Sequence, residues 1–154
     1  MPFSIEGGWL PDVNVWIALA SDRHEHHAIA RPWFDSLTQV ACFCRVTQMA
    51  FLRLLTNSKI MDEDVLSPSN ALAVYADLLT DERVRFPAEP NEVEKTWLSL
   101  MNVPAASGSA WTDAYLVAFA QEAGLHLLTL DTGMRRWPSS VARVLNFNCP
   151  KMRD

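Results

Sequence analysis

Four polar side chains of this sequence fall where an apolar segment gives way to a helix. They are Asp12 at the end of "GGWLPD", Gln48 in "TQMAFLRLLTN", Asp113 in "AWTDAYLVAFA" and Asp131 at the end of "LHLLTLD". Carboxylates that converge repel one another and raise each other's pKa unless a cation is bound between them. Mg²⁺ prefers oxygen ligands, and a bound divalent ion can activate water against a phosphodiester. The pattern therefore permits metal-assisted phosphodiester chemistry.

The segments that must position these side chains alternate between strands and helices. Strands are predicted at "GGWLPDV", "QVACFCRV", "ERVRFPAEP", "LHLLTLD" and "ARVLNF", with amphipathic or apolar helices between them. This alternation predicts an α/β fold, a three-layer α/β/α sandwich with a mainly parallel central sheet. Ligands of such sheets bind at the carboxyl ends of the strands, so the three acids are expected to converge on one edge.

Several residues mark where the predicted helices begin and end. Thr47 is a candidate N-cap, and Ser67 followed by Pro68 is a second N-cap with proline in the first helical turn. Gly124 can end the helix of Asp113 in a left-handed conformation. The helical neighbours of Asp113 are apolar, which predicts that this acid faces inward.

Composition limits the class of protein. The chain has 154 residues, 49% of them hydrophobic, and is predicted to form a single domain over residues 1–154. Thirteen basic against eighteen acidic residues give a net charge of −5, so nucleic acid would require a local basic patch, a metal or a basic partner. No apolar run reaches about 18 residues and the start does not resemble a signal peptide, so no membrane span is expected. Cys42, Cys44 and Cys149 are an odd number without disulfide-framework spacing, and Cys42 and Cys44, which alternate in a predicted strand, are interpreted as buried free thiols of a cytoplasmic protein.

The ordered motifs "LPDVNVWIAL", "CRVTQMAFLRLLTN", "WTDAYLVAFA" and "LLTLDTGM" resemble the PIN domains of VapC-type toxin ribonucleases, over nearly the whole chain. The resemblance implies an endoribonuclease dependent on Mg²⁺ or Mn²⁺, a homodimer and a cognate antitoxin protein. It assigns metal binding and catalysis to Asp12, Asp113 and Asp131. Asn14 and Thr129 match polar positions that support the site.

One position departs from the family pattern. The family commonly has a glutamate where this chain has Gln48, and an amide is a weaker, neutral ligand. The site therefore has three acids rather than four, and Gln48 is interpreted as a supporting residue that could hold a metal-bound water. Three arginines are candidates for RNA phosphate contacts: Arg45, Arg135 and Arg136.

Two other functions remain open on the sequence alone. A magnesium-dependent phosphatase-like or receiver-like domain also uses strand-end acids, but the phosphatase signature has a second Asp where this chain has Asn14. A catalytically weak or inactive PIN-like module that binds RNA or protein is the other alternative, and Gln48 is the feature that favours it.

The segment "HEHH", residues 24–27, raises the question of a zinc site. The helical zinc motif places two histidines four residues apart, with a glutamate beside the first. The histidines here are two and three apart and no distal ligand is evident, so a solvated helix start is the favoured interpretation.

Overall fold

The centre of the molecule is a five-stranded parallel sheet. A computed structural model describes residues 4–102, 108–137 and 141–145 of the chain. Its strands are β1 (Trp9–Pro11), β2 (Ala41–Cys42), β3 (Val84–Arg85), β4 (His126–Thr129) and β5 (Ala142–Val144). Their order across the sheet is β3-β2-β1-β4-β5, and every pairing is parallel. The predicted parallel α/β architecture is confirmed.

Helices connect the strands and cover the sheet. They are α1 (Val13–Ala20), α2 (His27–Asp35), α3 (Arg45–Leu55), α4 (Ser58–Met61), α5 (Pro68–Thr80), α6 (Val93–Leu100) and α7 (Ala110–Ala123). Two 3₁₀ turns, Asp62–Asp64 and Thr132–Arg136, complete the described part of the chain. None of the helices in that part combines the length and the apolar character needed to cross a membrane.

Two hydrophobic cores lie on opposite faces of the sheet, because successive strand residues point to opposite sides. Trp9 and Leu128 join the core under α1, α2, α3 and α5, where Trp16 stacks on Phe43 at a centroid distance of 4.0 Å. Their neighbours in the same strands, Leu10 after Trp9 and Leu127 before Leu128, point to the other face and join the core under α7. The three predicted layers are therefore present.

The second strand and its helix differ from the prediction. Only Ala41–Cys42 pairs within the sheet, and α3 already begins at Arg45 with Cys44 as its N-cap residue. Thr47, predicted as the N-cap, is instead the third residue of the helix. Its hydroxyl accepts a hydrogen bond from the Cys44 backbone N–H at 3.0 Å, so it caps the helix from inside the first turn.

The other predicted helix ends are confirmed. The Ser67 hydroxyl accepts a hydrogen bond from the backbone N–H of Asn70 at 3.2 Å, with Pro68 as the first residue of α5. Gly124 ends α7 with a φ of 69°, a conformation that glycine adopts without the steric penalty of a Cβ. Only residues 124 and 125 separate α7 from β4, so the helix runs back along the strand and its first turn lies at the edge where β4 ends.

The cysteines that the structure describes are structural. Cys42 and Cys44 are buried and not disulfide-bonded, as predicted. Burial raises the pKa of the Cys42 thiol to about 12, which keeps it protonated and unreactive. Cys149 lies outside the described residues.

Candidate active site

Asp12 occupies the junction between β1 and α1. It is the N-cap of α1, and its Oδ1 accepts a hydrogen bond from the Val13 backbone N–H at 2.7 Å. The Asp12 backbone N–H donates to the Leu128 carbonyl at 2.7 Å, which continues the pairing of β1 with β4. This junction holds the carboxylate at the carboxyl edge of the sheet, where the sequence predicts it.

Thr129, the last residue of β4, connects the polar groups of this edge. It is completely buried, and its hydroxyl donates to Asp12 Oδ2 at 3.1 Å. The Thr129 hydroxyl oxygen also accepts hydrogen bonds from Asn14 Nδ2 and from the Asp131 backbone N–H, both at 3.1 Å. Asn14 Oδ1 in turn accepts from the Leu130 backbone N–H at 3.2 Å. A single hydroxyl therefore fixes the relative positions of the first and fourth strand ends.

Asp131 begins the 3₁₀ turn that follows β4. Its Oδ1 accepts a hydrogen bond from the Gly133 backbone N–H at 2.8 Å, which makes it the N-cap of Thr132–Arg136. Met134 is buried and anchors the turn in the core beneath α7. The turn therefore has a fixed position relative to α7.

Asp113 lies in the first turn of α7, with 22% of its side chain exposed. The prediction that it faces inward agrees with this partial burial. Its Oδ2 accepts a hydrogen bond from Arg136 Nη2 at 2.9 Å. This ion pair joins residues 23 positions apart, and no local pattern in the sequence points to it.

The three acids lie close enough to influence one another's ionisation. Burial raises the pKa of Asp12, hydrogen bonds from Val13 and Thr129 lower it, and the charges of Asp113 and Asp131 raise it again. Burial also raises the pKa of Asp113, against the lowering effect of Arg136, and Asp131 raises it further. The structure thus brings the three predicted acids to one edge, and their mutual repulsion favours a bound cation.

The donor set suits a hard divalent ion, because it consists of carboxylate oxygens with a hydroxyl and an amide behind them. Within the residues that the structure describes, however, no three acidic, histidine or cysteine side chains already surround a common metal position. The hydrogen bonds of Asp12 with Val13 and Thr129, and the ion pair of Asp113 with Arg136, occupy some of the oxygens. Binding a metal would require some of these carboxylates to reorient.

Gln48 and Arg45 lie together in the first turns of α3. Arg45 Nη1 donates to Gln48 Oε1 at 2.5 Å, and Gln48 also hydrogen-bonds with Tyr75. The Arg45 guanidinium stacks 4.9 Å from the centroid of the Phe86 ring. The Gln48 amide is therefore held by an arginine and a tyrosine, and its role as a supporting residue of the site stays a prediction.

Arg135 and Arg136 are both exposed and belong to the turn that follows Asp131. The Arg136 guanidinium lies 5.3 Å from the centroid of the Trp137 ring while it pairs with Asp113. Arg136 therefore contacts one of the three acids, and Arg135 is the adjacent residue of the same turn.

The histidines of "HEHH" stabilise a turn. His24 Nδ1 accepts a hydrogen bond from the His26 backbone N–H at 3.1 Å, and His27 Nδ1 lies 2.7 Å from the Ala18 carbonyl oxygen. His27 is the first residue of α2. These contacts account for the segment as the turn that leads into α2.

The family profile described as PIN domain matches residues 10–138. Ribonuclease VapC41 of Mycobacterium tuberculosis is 37% identical over 142 residues, which cover 88% of this chain and 97% of that protein. Ribonuclease VapC38 of the same organism is 33% identical over 129 residues, covering 81% of this chain and 86% of that protein.

Solved structures share the fold. VapC20 of Mycobacterium tuberculosis, described as a sarcin–ricin loop cleaving toxin, superimposes with a TM-score of 0.62 at 20% identity, covering 84% of this chain and 94% of that one. VapBC2 from Rickettsia felis, bound to a DNA fragment from its promoter, gives a TM-score of 0.58 at 9% identity, covering 90% of this chain and 98% of that one. The profile match and the sequence relatives, together with this fold, show that the chain belongs to the PIN-domain family, among proteins of the VapC type.

Proposed function

We propose that the chain is a divalent-metal-dependent endoribonuclease, the toxin of a toxin–antitoxin pair. The observation that carries this proposal is the convergence of Asp12, Asp113 and Asp131 at one sheet edge, where each acid lies within electrostatic range of another. The names of the VapC relatives support RNA as the substrate. We expect the protein to act in the cytoplasm as a homodimer.

In this proposal each residue has a defined task. Asp12, Asp113 and Asp131 hold Mg²⁺ or Mn²⁺, while Thr129 and Asn14 orient Asp12 and the backbone after β4 through the hydrogen bonds described above. When bound, such an ion activates water and stabilises negative charge on the scissile phosphate. The three arginines, Arg45, Arg135 and Arg136, offer hydrogen-bond donors to the RNA backbone.

Metal dependence is the direct test. The purified chain should cleave RNA in Mg²⁺ or Mn²⁺, lose this activity in EDTA, and regain it when excess Mn²⁺ is restored. Gel analysis of a labelled RNA measures all three states on one preparation. Cleavage that continues unchanged in EDTA would contradict the proposal, and a chain that binds RNA without cutting it in any metal would favour the inactive binding module.

The phosphatase-like alternative has less support. Asn14 stands where the phosphatase signature has its second Asp, and both ends of its amide are already hydrogen-bonded, to Thr129 and to the Leu130 backbone. Asn14 therefore acts as a scaffold for the β4 end. Hydrolysis of a small phosphomonoester in the same metal buffer would distinguish this alternative from RNA cleavage.

We also propose a cognate antitoxin as the protein partner. The related Rickettsia structure is of a VapBC pair, and the net charge of −5 suits a basic partner segment. An arginine from such a segment could bind the acids in place of a metal. Co-expression with a small protein encoded beside the chain should yield a stable complex with suppressed RNA cleavage. A neighbouring protein that neither co-purifies nor inhibits would contradict this pairing.

A further inference from the structure

The ion pair between Arg136 and Asp113 places a positive charge among the acids of the candidate metal site. Arg136 Nη2 lies 2.9 Å from Asp113 Oδ2, a charge-assisted hydrogen bond. We propose that Arg136 is a resident counter-ion that competes with the divalent cation for Asp113. This inference rests on the proposed metal site and adds a control element to it.

The local structure holds Arg136 at this position. The 3₁₀ turn that carries it begins at Asp131, whose Oδ1 accepts from the Gly133 N–H, and the buried Met134 fixes the turn against the core. The guanidinium also lies against the Trp137 ring, at 5.3 Å from the centroid. Two contacts on an anchored turn limit the conformations of this long side chain, which reduces the entropy lost when the pair forms.

The pair is placed to be exchangeable. The Asp113 side chain is 22% exposed and that of Arg136 is 48% exposed, so the ion pair borders the solvent. A partly exposed pair is worth far less than a fully buried one and can be broken without leaving a desolvated charge. A divalent cation that recruits Asp113 can therefore displace the guanidinium into water.

Arg136 also changes the energetics of the metal-free protein. Asp113 and Asp131 repel each other, and both repel Asp12. The hydrogen bonds that Asp12 accepts come from neutral groups, the Val13 N–H and the Thr129 hydroxyl. Arg136 supplies a full positive charge within the acid cluster, so its ion pair with Asp113 should stabilise the metal-free protein. Because a metal must break that ion pair to bind Asp113, the pair should also weaken metal binding.

The test compares Arg136→Gln with Arg135→Gln, which removes the same charge from the adjacent residue of the same turn. Isothermal titration of the metal-free proteins with Mn²⁺ should show up to about fivefold tighter binding by Arg136→Gln, because a partly exposed charge pair is worth up to about 1 kcal/mol. Its melting temperature in EDTA should fall. Arg135→Gln should change Mn²⁺ affinity by less than about 1.5-fold, because a solvent-exposed charge outside the pair is screened by salt. Arg136→Lys keeps the positive charge but loses the planar guanidinium, so its Mn²⁺ affinity should lie between those of Arg136→Gln and wild type.

The outcomes separate this inference from the proposed function. If wild type binds Mn²⁺ at a site that Asp12→Asn weakens, and Arg136→Gln binds no tighter, the counter-ion role is wrong while the metal site stands. An equal gain in Mn²⁺ affinity in Arg135→Gln would show that the effect comes from overall surface charge, and it would also overturn the counter-ion role. If wild type shows no Mn²⁺ binding that depends on Asp12, the proposed metal site itself fails.

Discussion

Replacing Asp12 with asparagine is expected to lower the rate of RNA cleavage by about a hundredfold or more, which corresponds to about 2.7 kcal/mol or more of activation free energy. The carboxylate is the acid at the end of β1, and its charge is what a divalent cation requires. An amide oxygen in the same place is neutral and binds such an ion weakly. Single-turnover cleavage of a labelled RNA in Mn²⁺ measures the effect.

The fold should survive this substitution. Asparagine is as good an N-cap as aspartate, so the hydrogen bond from the Val13 N–H can be retained. The matched control is Asp77→Asn, which changes the same functional group at an exposed position on α5. We expect Asp77→Asn to cleave at the wild-type rate. An Asp12→Asn enzyme that retains its activity would remove Asp12 from the catalytic site.

The second large effect is expected at Thr129, where replacement by valine removes the hydroxyl but keeps the shape of the side chain. Three hydrogen bonds are lost, those with Asp12, Asn14 and the Asp131 backbone. An unsatisfied buried polar group costs about 1–3 kcal/mol, and some of these partners can reach water, so we expect unfolding to become easier by about 2 kcal/mol in total. For a chain of this size that lowers the melting temperature by roughly 4–8 °C.

Activity should fall with stability but for a separate reason. Removing the Thr129 hydroxyl breaks the link from the Asp12 carboxylate to the Asp131 backbone N–H, and small misplacements of catalytic groups are costly. We expect cleavage to slow by about tenfold or more at a temperature where the variant is fully folded. Calorimetry and a cleavage assay on the same preparation check both effects.

Thr129→Ser is the control for this prediction, because serine keeps the hydroxyl and loses only the methyl group. The serine variant should cleave RNA at nearly the wild-type rate, even if the lost methyl reduces its stability. Equal activity losses in the valine and serine variants would show that packing of the methyl group, rather than the hydrogen bonds, is what position 129 contributes.

The sequence by itself was sufficient for the layered architecture and for the edge on which the acids lie. Short β segments alternate with helices, and connections in parallel sheets return every strand end to the same side. This rule places Asp12 and Asp131 on the same edge of the sheet without any knowledge of strand order. Caps such as Ser67 and Gly124 were also predictable, because they depend only on neighbouring residues.

The contacts that make the edge a site were decided by the tertiary structure. β1 and β4 are neighbours in the sheet, and only that order brings Thr129 to Asn14 and Asp12, which are 115 and 117 residues away. The ion pair of Arg136 with Asp113 likewise depends on how the turn after β4 packs beside α7. Periodicity and capping describe each segment separately, whereas these hydrogen bonds depend on which segments become neighbours when the two cores are buried. For this reason the sequence identified the acids, and the fold alone determined which residues hold and neutralise them.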